Sequence, residues 1–221
     1  MTQIAKLYGS PIKINVKLED MPHNVFRRLL LPENTNMMQL HAVIQLAMGW
    51  EFSHLFQFSD KKYKGNIIAS YGQDDGFGDF MENEKEAHLV SLKKDFLEKG
   101  ERKPFWYWYD FGDDWWHKIT FLKPSKKDLE LYSAAPVCVE AHGKCPPEDV
   151  GGPWGYSAFC EAINDKKHPE YKEYREWLGL NLKAKYDFET VDTEAINQDL
   201  ESYFFSRYWK RNTKKSFSEG W

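Results

Sequence analysis

The residues best suited to chemistry in this sequence are His41, His54, His117 and Asp110, side chains that exchange protons or ligate metals near neutral pH. Each lies on a segment expected to bound one central sheet, so the three histidines are expected to converge around Asp110. Trp50, Trp106, Trp108 and Trp154 would edge that cluster, giving a His/Asp/Trp-lined pocket for a small polar or aromatic ligand. Glu148 and Asp149, which follow Pro146-Pro147, add paired carboxylates able to serve acid–base work or a divalent ion. A structural reading competes at every position. Buried histidines commonly satisfy carbonyls or carboxylates, and a Glu-Asp pair commonly caps the next turn or holds an arginine such as Arg27 or Arg28. These residues are therefore read as binding residues; none is assigned as catalytic or as a metal ligand, and no cofactor is implied.

A second cluster, Cys138-x3-His142-x2-Cys145, has zinc-like spacing, with Cys160 or His168 available as a fourth ligand. It lacks a CxxC knuckle, so reduced, metal-free loop cysteines are the expectation. Near the C-terminus Arg207, Lys210, Arg211, Lys214 and Lys215 surround Tyr208 and Trp209. Such a stretch can contact phosphates, and it serves equally as the solvated end of a helix, where cations are favoured. The formal charge of −4 supplies no global drive toward nucleic acid or acidic membranes. The chain carries no GxGxxG, P-loop, GxSxG or HExxH motif. Three cysteines without a signal peptide point to a reducing cytoplasm, and no apolar run approaches the roughly 18 residues of a membrane span.

The elements that must position these groups are legible from periodicity. Ile12, Ile14, Val16 and Leu18 alternate with polar residues as a half-buried strand, and Val25–Leu31 returns as its partner. A helix follows, with Asn36 as N-cap, Gln39 completing a capping box, an apolar stripe from Met37 to Ala47, and Gly49 as its stop. This spacing sets His41 at the border of core and solvent. Strands are expected over His54–Phe58 and around Tyr63–Ala69, a short one over Ala87–Leu92, and a helical turn over Lys93–Lys99. Residues Ser70–Glu86 read as a mobile acidic loop without calcium-ligand spacing. Pro124–Asp149 reads as long and irregular. Beyond it, Gly151–Gly155 is a turn aiming Trp154 back at the body, and three helices follow, the last capped by Asp192.

The centre of the chain is Phe105–Leu122, FWYWYDFGDDWWHKITFL, in which aromatic residues are densest. Its alternation predicts two antiparallel strands, Phe105–Phe111 and Trp116–Leu122, joined by a two- or four-residue loop centred on Asp113-Asp114. That register pairs Asp110 with His117 and Trp108 with Ile119. One face then carries Trp106, Trp108, Asp110, His117, Ile119 and Phe121, and both faces are covered. In that pairing the carboxylate would raise the His117 pKa and the histidine would depress that of Asp110. The fold class is α+β: a mostly antiparallel sheet with a central aromatic hairpin, one helix in the N-terminal half and about three C-terminal helices.

With these segments laid out, the sequence resembles the plasmid pRiA4b Orf3-like family, whose members are also labelled mobile-element passengers related to a resolvase. The match rests on FRRLLLP with NMMQLHAVIQLAMGW (Phe26–Trp50), SHLFQF (Ser53–Phe58), YDFGDDWWH (Tyr109–His117) and CPPEDVGGPWGY (Cys145–Tyr156). HPEYKEYREWLG and YDFETVDTEAIN extend it toward the C-terminus. The family pattern has Gly at the position of Asp114, so this turn must accept Asp in a left-handed conformation. It has an acidic residue at the position of Trp116, so the hairpin here is more apolar and more in need of cover. The resemblance implies one compact α+β domain over residues 1–205, followed by the basic tail 206–221, and a link to mobile DNA; it implies no reaction.

The expected function is a non-catalytic cytoplasmic binding or interaction module associated with mobile DNA elements, with an unknown protein or small-molecule partner and no membrane contact. One alternative is a metal-dependent or acid–base enzyme using the His/Asp cluster. The other is a nucleic-acid accessory protein using the basic tail. Removing Ser206–Trp221 is expected to leave the fold intact unless Tyr208 and Trp209 dock on the body.

Overall fold

The computed structural model describes residues 10–71, 86–181 and 184–211, and among these the chain is α+β, built on one sheet. Seven strands are present: β1 Ile12–Leu18, β2 Val25–Leu31, β3 Phe56–Ser59, β4 Ile67–Tyr71, β5 Phe105–Tyr109, β6 Trp115–Leu122 and β7 Val137–His142. They pair antiparallel throughout, in the order β4-β3-β5-β6-β1-β2-β7, so the aromatic hairpin β5–β6 sits at the centre. The helices are α1 Met37–Met48, α2 Lys126–Leu131, α3 Gly152–Ala162, α4 Tyr171–Trp177, α5 Thr193–Phe205 and α6 Arg207–Arg211. No described helix is long and apolar enough to cross a membrane. The expected mobile loop falls almost wholly on residues 72–85, outside the described residues.

Helix α1 forms as its punctuation dictates. The Asn36 side chain accepts from the Gln39 N–H, the Gln39 side chain accepts from the Asn36 N–H, and Gly49 ends the helix with φ +86°. The border position expected for His41 does not hold. Eleven of the twelve residues of α1 are buried, because α5 and the 3-10 turn Ala87–Leu89 pack over the side turned away from the sheet. That 3-10 turn replaces the strand expected over Ala87–Leu92, while Lys93–Leu97 does wind into a helical turn of π type. The stretch 124–149 is also more regular than its composition indicated. Ser125 caps α2 through a capping box with Asp128, and β7 adds an edge strand to β2. The Asn197 side chain on α5 closes that edge, accepting from the Cys138 N–H and donating to the Cys138 carbonyl.

The hairpin register differs from the expected one. The strands pair Tyr107 with His117, Trp108 with Trp116 and Tyr109 with Trp115, leaving a five-residue loop from Asp110 to Asp114. Asp110 ends the strand early. It takes a left-handed conformation (φ +53°), and its Oδ1 accepts from the Gly112 and Asp113 N–H groups, a turn that competes successfully with the ladder. The buried face therefore carries Phe105, Tyr107, Tyr109, Trp115, His117 and Ile119. Trp106, Trp108, Trp116 and Lys118 lie on the other face. There Trp116 is covered, 2% exposed, by Trp108 stacked at 4.9 Å and by Tyr63. Asp114 adopts φ +61°, the left-handed state expected of it.

The start of the basic tail is docked. Trp209 packs on Tyr203 and Phe204, and its carbonyl accepts from Gln39 Nε2 on α1. Trp209→Ala is therefore expected to lower the melting temperature by several degrees, because losing about 1–2 kcal/mol shifts a chain of this size by roughly 2–4 °C per kcal/mol. Thermal unfolding of the variant beside the wild type checks this; an unchanged transition would show the contact to be incidental.

Candidate functional site

Three loops meet at one end of the hairpin. The first, between α1 and β3, brings His54 and contains Phe52 at φ +64°. The second is the hairpin turn, which brings Asp110. The third runs from β7 into α3 and brings Glu148 and Asp149, the latter at φ +59°. His54 Nε2 stands 3.4 Å from Asp110 Oδ2 and 3.3 Å from Asp149 Oδ1. One donor atom from each of the three lies within 4.8 Å of the others, and this is the one such group among the described residues.

The site has a buried floor and an open rim. Asp110 is 8% exposed; its Oδ1 is engaged by the turn, and its Oδ2 is directed at His54. His54 Nε2 is itself shielded from solvent and makes no hydrogen bond of good geometry, although two carboxylates face it. The Asp149 side chain is largely exposed. Beneath the cluster, the Tyr109 hydroxyl donates to Glu148 Oε1 at 2.6 Å and accepts from the Ser53 N–H at 3.1 Å. Burial and the neighbouring Glu148 push the Tyr109 pKa far up, so the phenol keeps its proton.

The third loop is fixed against the second. The Gly151 N–H donates to Asp113 Oδ2, and Gly152, at φ +67°, lies so close to the hairpin turn that a Cβ there would stand 2.3 Å from the Asp113 carbonyl. Gly152→Ala is expected to cost roughly 2 kcal/mol or more, combining left-handed strain with a backbone clash. Denaturant unfolding measures it, and a cost below about 0.5 kcal/mol would mean the two loops are not in rigid contact.

The structure separates the residues that the sequence suggested as one site. His54, Asp110, Glu148 and Asp149 come together. His41 and His117 do not join them. His41 is buried against the sheet, stacked on Phe56 at 3.7 Å with Nδ1 2.7 Å from the Tyr107 hydroxyl. His117 is fully buried opposite Tyr107, its Nδ1 3.4 Å from the Tyr107 carbonyl. Among the described residues no carboxylate faces His117, so the expected rise in its pKa is reversed: burial lowers His41 and His117 to about 3 each. Trp50 is a core residue whose indole donates to the Pro146 carbonyl. Trp106 and Trp108 lie on the face opposite His117, and Trp154, 86% exposed, points into solvent instead of back at the body.

Glu148 and Asp149 hold neither Arg27 nor Arg28. Arg27 is buried and donates to the carbonyls of Ala47, Phe26, His142 and Gly143, while Arg28 pairs with Glu140. Cys138, His142 and Cys145 are not gathered into a ligand set among the described residues; His142 pairs with Glu189, and burial pushes the Cys138 thiol up to about 11. Sequence reasoning passed over Tyr109, because the expected register placed it on the face away from Asp110. Its position immediately before Asp110 was the available signal.

The comparisons bring in relatives without an assigned activity. The model for the plasmid pRiA4b ORF-3-like protein family matches residues 10–195. An uncharacterized protein, y4hQ, of Sinorhizobium fredii is 33% identical over 213 residues, covering 95% of this chain and 99% of that one. The crystal structure of a protein of unknown function, MM3350, from Methanosarcina mazei superimposes with a TM-score of 0.65 at 30% identity, over 83% of this chain and 96% of that one. The matched span includes all three loops that carry the His/Asp cluster, and the chain belongs to the plasmid pRiA4b ORF-3-like family.

Proposed function

We propose that this chain binds a divalent transition-metal cation through His54, Asp110 and Asp149, and uses the remaining coordination positions to hold water or an oxygen-bearing ligand. The observation that carries the reading is the convergence of one imidazole nitrogen and two carboxylate oxygens, from three separate loops, within 4.8 Å of one another. Donors about 2.0–2.2 Å from a shared ion lie roughly 3–4.4 Å apart, so small side-chain adjustments close the site. Asp110 supports it independently: a nine-tenths-buried carboxylate with one oxygen aimed into the cluster calls for a cation. A mixed imidazole–carboxylate set suits Zn2+, Mn2+ or Fe2+ better than Ca2+ or Cu+. Three protein ligands leave open positions, the arrangement found where a metal acts on a ligand and not only as a structural clip.

This reading favours the metal-dependent alternative over a metal-free pocket. A pocket lined by His41, His117 and the tryptophans lacks support, because those side chains are distributed between the core and two different surfaces. Chelator-treated protein titrated calorimetrically with MnCl2 and ZnCl2 tests the proposal. About one equivalent bound per chain by the wild type, and none by His54→Ala, is the expected result. Wild-type protein that takes up neither ion at millimolar concentration would end it.

A further inference from the structure

We infer that Tyr109 is the positioning residue of the metal site, its hydroxyl holding the three ligand loops in mutual register. The inference rests on the metal-binding reading of His54, Asp110 and Asp149. Tyr109 closes β5, so its peptide bond leads directly into Asp110. Its side chain is fully buried against Trp50, stacked at 5.0 Å, and reaches the crossing point of the other two loops. There the hydroxyl accepts from the backbone N–H of Ser53, fixing the residue before the imidazole. The same hydroxyl donates to Glu148 Oε1 at 2.6 Å, fixing the residue before Asp149. One oxygen atom thus ties all three ligand-bearing segments.

The tie adds to contacts that already hold these loops, Phe52 N–H to Gln45 Oε1 and Gly151 N–H to Asp113 Oδ2 among them. Phe52, Asp110 and Asp149 all occupy the left-handed region, which non-glycine residues keep only when the surroundings impose it. Asp110 has its own turn to hold it. The other two loops have the Tyr109 hydroxyl in common. Glu148, on this geometry, acts as the acceptor end of a strut and not as a fourth ligand.

The test measures Mn2+ dissociation constants by competition with a chromophoric chelator, alongside apo-protein melting curves. Tyr109→Phe keeps the ring and its packing and removes the hydroxyl; binding is expected to weaken roughly ten- to a hundredfold, the usual effect of losing a group that orients a ligand. Glu148→Ala should weaken it similarly. Glu148→Gln retains an oxygen that accepts from Tyr109, and should bind within about threefold of wild type. The glutamate pair keeps the inference testable if Tyr109→Phe does not fold. Wild-type affinity in Tyr109→Phe, even with a lower melting temperature, would make the hydroxyl merely structural and overturn the inference. Equal damage from Glu148→Gln and Glu148→Ala would overturn it too, by making the charge and not the strut the active element. Wild-type protein that binds no Mn2+ overturns the metal reading itself, a result distinct from the other two.

Discussion

Asp110→Asn is expected to weaken divalent-cation binding by about a hundredfold or more while leaving the apo protein folded. The substitution separates two jobs done by one side chain. Oδ1 holds the hairpin turn by accepting from Gly112 and Asp113, and asparagine keeps that oxygen and tolerates the left-handed backbone at φ +53°. What asparagine lacks is the negative charge that Oδ2 presents beside His54 and Asp149. The apo melting temperature should therefore stay close to wild type, and the rise expected of the wild type in saturating Mn2+ should disappear. A variant that still gains the full metal-induced stabilisation would show that Asp110 is a turn residue alone.

The second large effect is acid sensitivity from the two core histidines. Burial lowers both His41 and His117 to about 3, so the folded state holds them neutral where the unfolded chain takes up protons at the ordinary pKa of about 6.5. A lowered histidine pKa means the unfolded state binds more protons across the window between those values, and stability falls as pH falls through it. Each histidine approaches a slope of about 1.4 kcal/mol per pH unit, and the pair should remove roughly 3 kcal/mol between pH 6.5 and 5, before carboxylates titrate appreciably. Urea unfolding at a series of pH values measures this, and His117→Gln should roughly halve the loss. Stability that rises on acidification over that range would restore the carboxylate-paired His117 of the sequence reading. Nothing in the observed register provides such a carboxylate, since His117 faces Tyr107.

The difference between those two histidine behaviours shows where sequence periodicity stops being informative. Strands β1 and β2 and helix α1 follow from patterns that end in unambiguous punctuation, the Asn36–Gln39 capping box and Gly49 among them. In the hairpin nearly every residue from Phe105 to Trp116 is aromatic or acidic, so either face can be the buried one, and alternation alone cannot choose the register. The choice is made by Asp110, whose side chain accepts from the Gly112 and Asp113 N–H groups and ends the strand at Tyr109, short of the expected Phe111. His54, Asp110, Glu148 and Asp149 were legible as candidates because their residue types carry chemistry. Their separation from His41 and His117 was not legible, because it depends on α5 burying α1 from above and on that register. The edge strand within 124–149 was not legible for a different reason. β7 is an edge strand completed by the Asn197 side chain from α5, a pairing that no local pattern encodes.

The most direct measurement is crystallographic: crystals grown from chelator-treated protein with Mn2+ added, and diffraction recorded for the anomalous signal of the metal. A single strong anomalous peak lying between His54 Nε2, Asp110 Oδ2 and Asp149 Oδ1, absent from Asp110→Asn crystals treated identically, is the predicted result. A map with no peak there, or with manganese bound only at other carboxylates, would contradict it.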